Sequence, residues 1–285
     1  MQCPPVPWPE RRGARVDSMF RLPTTVRALA PALLLGCMAC RSGGTSAPPE
    51  PVPATTTSPT EATEGAPSMA DEHGLHPALK TYLDARMAEL DALPPDRRET
   101  LGQLASFVRE QHAAGQPARL LFICTHNSRR SHMGQLWAAA AAAYFEADGI
   151  ETYSGGTEAT AFNPRAVAAM ERAGFVIARP PVDEDNPRYE VSIADGVPAM
   201  VAYSKTWQDP ANPREGFAAV MTCSQADEAC PFVQGAVLRV SLPYEDPKLA
   251  DGTAQEAERY DQRARQIATE MLYLFRLVAE DERGE

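Results

Sequence analysis

Cys124 and Arg130 enclose the five residues Thr125-His126-Asn127-Ser128-Arg129, and Ser131 follows directly. A thiol and a guanidinium at this spacing suit attack on a tetrahedral oxyanion. The thiolate is the nucleophile, and the planar fork of the arginine can hold two oxygens of the anion. The residues just before, Leu120-Leu121-Phe122-Ile123, read as a buried strand. Met133–Tyr144, with an unbroken alanine run at 138–143, reads as a helix. A loop between a strand end and a helix start turns its backbone N–H groups inward, under the positive end of the helix dipole. The same field favours the thiolate of a cysteine at its mouth. A free cysteine is more often a small buried hydrophobe. The strand before and the helix after set Cys124 apart, and point to an enzyme acting on phosphate or a phosphate-like anion. Thr125, His126, Asn127, Ser128, Arg129 and Ser131 are then the substrate-binding candidates beside the catalytic pair.

The elements that position this loop alternate along the chain. Strands are expected at Arg119–Ile123, Glu151–Ser154 (ending in Gly155-Gly156), Ala218–Thr222 and Ala236–Ser241. Helices are expected at Ser131–Ala147, from Asn163-Pro164 to Ala173, and at Ala254–Ala279. The alternation predicts an α/β fold, a small parallel four-stranded sheet with helices on both faces. Upstream, Leu79, Leu83, Met87 and Leu90, then Leu101, Leu104, Phe107 and Val108, predict two amphipathic helices around Pro94-Pro95 that serve packing or act as a lid. Residues 182–212 break the alternation. Tyr189–Ile193 and Ala199–Tyr203 flank Asp195-Gly196 and predict an inserted hairpin, either decoration or a flap over the pocket. Tyr189 and Tyr203 there suit either packing or an aromatic wall for substrate.

Three more residues carry chemistry. The strand at 218–222 delivers Cys223, with Cys230-Pro231 following after six intervening residues, and Asp246-Pro247 follows the fourth strand. On their own, Cys223 and Cys230 fit a buried thiol, a structural disulfide or a redox pair. With the Cys124–Arg130 loop, and with Tyr153-Ser154-Gly155-Gly156-Thr157-Glu158 through Asn163-Pro164, the chain resembles the low-molecular-weight protein-tyrosine phosphatase superfamily. Within it the chain is most similar to the thioredoxin-coupled arsenate reductases, over roughly residues 118–280. The resemblance implies Cys124 as nucleophile, Arg130 as oxyanion clamp, Asn127 and Ser131 as loop supports, and Asp246 as general acid. It implies Cys223 and Cys230 as redox successors of Cys124, no bound cofactor, and a thioredoxin-like protein as reductant and partner. Reductases of this type usually carry glycine where His126 stands and a second loop cysteine where Arg129 stands. Gln135 stands where some relatives use a carboxylate for a structural cation, so no metal is expected.

Of 285 residues, the first part is not folded-domain material. Residues 1–40 read as a lipoprotein leader: Met19 is a natural start, Arg21 and Arg27 a basic region, Ala28–Leu35 a short apolar core, and Leu34-Leu35-Gly36-Cys37 a lipobox with Cys37 as the lipidation site. The apolar run is too short to span a bilayer, so membrane attachment would come only through the lipid. Residues 41–70, rich in Ser, Thr, Pro, Gly and Ala, read as a linker, 71–117 as a helical extension and 118–285 as the catalytic domain with the 182–212 insertion. The expected location is the cell envelope, lipid-anchored and facing the periplasm or outside; an unused signal would leave the chain cytoplasmic. Net charge −11 without a basic run excludes nucleic acid as a partner.

The expected activity is reduction of arsenate to arsenite through Cys124, Cys223 and Cys230. A phosphatase using Cys124, Arg130 and Asp246 on phosphotyrosine or a small phosphate ester is the alternative. A non-catalytic envelope oxyanion-binding or redox-sensing lipoprotein is a third.

Overall fold

Strand β1, Ala118–Cys124, is the axis of the molecule because it is apolar on both faces. In a computed structural model, which describes residues 74–181 and 184–282, its alternate side chains enter two different cores. Leu120 and Phe122 point into a large cluster, and Leu121 and Ile123 into a smaller one. Strand β2, Ile150–Gly156, lies parallel on one side of β1. To number the rest in chain order, β3 is Val176–Ala178, β4 Tyr189–Ser192, β5 Met200–Ala202, β6 Phe217–Met221 and β7 Ala236–Ser241. The main sheet has the order β2-β1-β6-β7, all parallel, as the sequence predicts. β6 repeats the alternation of β1, with Ala218 and Val220 in the large core and Phe217, Ala219 and Met221 in the small one.

Helices α1 (Pro77–Met87), α2 (Pro95–Ala113), α3 (Arg130–Tyr144), α4 (Pro164–Arg172), α5 (Ser224–Ala229) and α6 (Glu256–Glu282) complete the unit. Trp137 of α3, Leu104 of α2 and Phe275 of α6 are fully buried in the large core. Each such side chain contributes about 1.5–3 kcal/mol. Gly134 lets α3 approach the sheet closely, since a Cβ there would lie 2.5 Å from the Phe122 ring. α5 covers the other face, through Ala226 in the small core. Among the described residues no helix is long and apolar enough to cross a membrane. The leader, with Cys37, and the 41–70 linker lie outside the described residues.

The differences from expectation are local. α3 starts one residue early, at Arg130, and stops at Tyr144 because Glu146 takes a left-handed conformation (φ 54°). Thr222 falls just outside β6, and its N–H and hydroxyl both donate to the Ile123 carbonyl, at 2.7 and 2.9 Å. The expected hairpin forms as β4 and β5, and β3 adds a third antiparallel strand from upstream of residue 182. Tyr189 is not a substrate wall: it is buried edge-on against Phe162, with ring centroids 5.7 Å apart.

Candidate active site

The strand order puts Cys124, Gly156 and Cys223 together at the carboxyl edge of the sheet, with Asp246 following β7 on the same edge. Open parallel sheets place their ligand sites along this edge. Cys124 is almost fully buried, at 3 % exposure, at the start of the loop that ends in α3.

The loop is held open from outside, through its carbonyls. Those of Cys124 and Thr125 accept from the Thr157 and Glu158 N–H groups at 3.1 and 2.8 Å, and that of Ser128 accepts from Asn163 at 2.9 Å. The His126 carbonyl takes the hydroxyls of Thr160 and Ser204, at 3.2 and 2.9 Å. With the carbonyls engaged outward, the N–H groups of His126, Asn127, Ser128 and Arg129 have no protein acceptor among the described residues. Such a ring of N–H groups at a helix start can serve as an anion cradle. The turn requires Asn127 at φ 43°, a region that asparagine tolerates better than most residues. Gly156 is required beneath it, because any Cβ there would run into the Glu158 carbonyl oxygen and the Asn127 nitrogen.

Asn127 and Ser131 form a relay to the thiol. Asn127 Oδ1 accepts from the Lys205 N–H at 2.9 Å, and its Nδ2 donates to Ser131 Oγ at 2.8 Å. Ser131 Oγ lies 3.1 Å from Cys124 Sγ, so its own proton is free to serve the sulfur. Arg130 donates through Nη1 to the Tyr244 carbonyl at 3.1 Å and through Nη2 to Asp246 Oδ2 at 2.8 Å. Arg129 is buried behind, its Nη1 3.5 Å from the same carboxylate oxygen. Asp246 Oδ1 caps the short turn Pro247–Ala250 through Lys248 N–H. His126 faces outward, half-exposed and 3.7 Å from the Glu158 carboxylate. Gln135 commits its amide to the Thr152 carbonyl at 3.1 Å.

All three cysteines of the described residues are free thiols. Cys223 is fully buried as the N-cap of α5, its Sγ accepting from Ala226 N–H at 3.4 Å and lying 3.5 Å from Thr125 Oγ1 of the cradle loop. Cys230 follows the last turn of α5, half-buried, and burial pushes its thiol up against the opposing influence of Arg239.

Sequence reasoning missed the second half of the insertion. Gly156 N–H donates to the Lys205 carbonyl and Trp207 N–H to the Gly156 carbonyl, both at 2.9 Å, while Trp207 packs on Gly155. Asn212 Nδ2 reaches the Ser154 carbonyl at 3.1 Å. The insertion thus buttresses the cradle. Its contacts run mostly through backbone atoms, which leave no residue signature. Burial lowers Lys205 to about 8, and it sits with Arg188 over the Tyr203 ring, at 4.7 and 3.9 Å.

No family model matches the chain. It is 30% identical to the arsenate reductase of Bacillus licheniformis over 156 residues, 55% of this chain and 93% of that protein. It is 31% identical to the Bacillus subtilis arsenate reductase over 146 residues, 51% of this chain and 86% of that one. Among solved structures, a low-molecular-weight phosphotyrosine phosphatase from Vibrio cholerae aligns at TM-score 0.39 and 16% identity, covering 59% of this chain and 99% of that one. A thioredoxin-dependent arsenate reductase of Corynebacterium glutamicum aligns at TM-score 0.31 and 19% identity, covering 65% and 80%.

Proposed function

Since this chain belongs to the arsenate reductase family, we propose that it reduces arsenate to arsenite by a Cys124–Cys223–Cys230 relay. The observation that carries this reading is the order of the thiols: Cys124 in the cradle, Cys223 beside Thr125 of the same loop, and Cys230 one short helix away. The Cys124 thiolate attacks arsenic and displaces one oxygen, which leaves as water on taking a proton from Asp246. Arg130 and the loop N–H groups hold the remaining oxygens. Cys223 then attacks Cys124 Sγ. The new S–S bond forms as the As–S electron pair moves to arsenic, and arsenite departs in the reduced state. Cys230 attacks Cys223 Sγ, releasing the Cys124 thiolate and leaving a Cys223–Cys230 disulfide. A thioredoxin-like dithiol supplies the two electrons that reopen it.

The last exchange has a structural requirement. Residues at the two ends of α5 stand about 10 Å apart along a helix axis, whereas a disulfide needs Cα atoms within about 7 Å. α5 therefore unwinds as the disulfide forms. Phosphate-ester hydrolysis is a second reading. It is favoured by the contact between Arg130 and Asp246, which needs no second thiol.

The test compares wild type and Cys223→Ser on p-nitrophenyl phosphate, and on arsenate with thioredoxin and its reductase. Loss of arsenate turnover in Cys223→Ser, with ester hydrolysis retained, supports the relay. Ester hydrolysis without arsenate-dependent thiol oxidation in wild type overturns it in favour of the phosphatase.

We further propose a lipid anchor at Cys37 and an envelope location, supported by the pattern of residues 19–40. Metabolic labelling with a fatty acid marks Cys37 if this holds, and an unlabelled chain in the soluble fraction defeats it. An exported reductase would draw its electrons from an envelope dithiol protein.

A further inference from the structure

Arg97, in the first turn of α2, grips both the segment that carries Asp246 and the helix behind it. Its Nε and Nη2 donate to the two oxygens of Glu270, at 3.0 and 2.6 Å. Its Nη1 donates to the Pro243 carbonyl at 3.0 Å, and the guanidinium lies over the Tyr244 ring at 4.8 Å. Glu270 is buried, at 1 % exposure, and also accepts from the Tyr244 hydroxyl at 2.7 Å and from Gln266 at 3.3 Å. Burial opposes the charge on Arg97, but the bond to Glu270 together with the nearby Tyr244, Glu270 and Asp96 outweighs it, so Arg97 holds its proton more firmly than usual. Burial, then the Glu270 carboxylate, raises Tyr244 well above the ordinary phenol range and keeps its hydroxyl a donor.

The far side of the same segment faces the chemistry. Both outer nitrogens of Arg130 bond to it, one to the Tyr244 carbonyl and one to Asp246. The geometry points to Arg97 as a positioning residue for the oxyanion clamp: α2, through Arg97, sets Pro243–Asp246, and that segment aims Arg130. The inference rests on the proposed role of the Cys124 loop as an oxyanion cradle. An arginine side chain is long and rotatable, and its direction is set by what its outer nitrogens bond. Without Arg97 the Pro243 carbonyl loses a donor, and Glu270 becomes a buried carboxylate served only by neutral groups. The segment shifts, and Arg130 shifts with it. The N-terminal helix pair thereby gains a part in the site that packing alone would not give it.

Alkylation of Cys124 by iodoacetamide in the full chain, followed at the Cys124 peptide by mass spectrometry, with and without inorganic phosphate, tests this. Arg97→Lys keeps the charge and removes the fork. The paired variant Arg97→Met/Glu270→Met removes the whole ion pair, an exchange that is often neutral for stability. In both, the phosphate concentration giving half-protection rises roughly 10- to 100-fold, while the unprotected rate stays within about twofold of wild type. General loosening of the fold would instead raise the unprotected rate, because Cys124 is buried. Wild-type half-protection in either folded variant, or a raised unprotected rate, overturns the inference. If phosphate fails to protect the wild-type chain, the cradle reading itself falls and takes this inference with it.

Discussion

Arg130 Nη2 and Asp246 Oδ2 meet at 2.8 Å, so the cation that would clamp an oxyanion and the carboxyl that would protonate its leaving group are partners before any ligand arrives. An incoming oxyanion competes with Asp246 for Arg130. Arg130→Lys removes the fork that reaches both the Tyr244 carbonyl and Asp246, and kcat/KM is expected to fall about 100-fold or more. Steady-state kinetics on arsenate and on p-nitrophenyl phosphate check this, and an unaltered kcat/KM would remove Arg130 from the reaction.

In the proposed relay, Cys230 would set a pH dependence. Its thiol is pushed up by burial, and only the thiolate attacks a disulfide. Below its pKa, transfer from Cys124–Cys223 to Cys223–Cys230 is expected to quicken by about tenfold per pH unit. Rapid-quench mass spectrometry of the mixed disulfide reads this, and a rate flat from pH 6 to 8 contradicts it.

His132 makes the fold acid-sensitive. Burial, and then Lys205, lowers it to about 3, while the Tyr203 backbone favours its charged form too weakly to compensate. The folded pKa lies below the unfolded one. Its contribution is therefore constant above about pH 6.5 and shrinks as pH falls toward 3, by up to about 1.4 kcal/mol per unit. The ring stacks on Phe162 at 4.1 Å, so His132→Gln loses packing at pH 7. Urea midpoints at pH 7 and 5 should nevertheless converge for that variant while separating for wild type.

Lys205 acts in the same sense in a higher pH window. Its folded pKa, about 8, lies below that of an ordinary lysine. At neutral pH both states are charged and the full burial penalty is felt; from about pH 8 upward the folded state sheds its proton first and stability rises. Lys205→Met is expected to stabilise the chain by roughly 1–3 kcal/mol at pH 7, less whatever its contact with the Tyr203 ring contributes. The gain should shrink between pH 8 and 10 in denaturant titrations, and a constant gain would mean that the charge is not the cause.

The parts of the site legible in the sequence were those with a local signal. An apolar strand, an alanine-rich helix and a Cys–Arg spacing place the cradle, and Asn163-Pro164 marks the start of α4. The rest depends on contacts distant in sequence or on backbone atoms. Lys205 supports Asn127 through its N–H, which every residue but proline possesses. β3 has three residues, two of them exposed, and α5 has six without apolar periodicity, both too short for a pattern. Arg97 and Glu270 are 173 positions apart, and nothing in either neighbourhood foretells the other.

The outward-pinned carbonyls of the Cys124 loop tie ligand occupancy to the folding equilibrium. Thr157, Glu158, Thr160 and Asn163 come from one stretch of chain and Ser204 from another, so the ring of N–H groups exists only when both are assembled against the loop. An unfolded chain offers an oxyanion no comparable site. If the loop holds the anion as proposed, phosphate or arsenate in the surroundings would act by mass action as a stabiliser, worth about 2.7 kcal/mol at a hundred times its dissociation constant. The enzyme's resistance to unfolding would follow the concentration of the anion it handles.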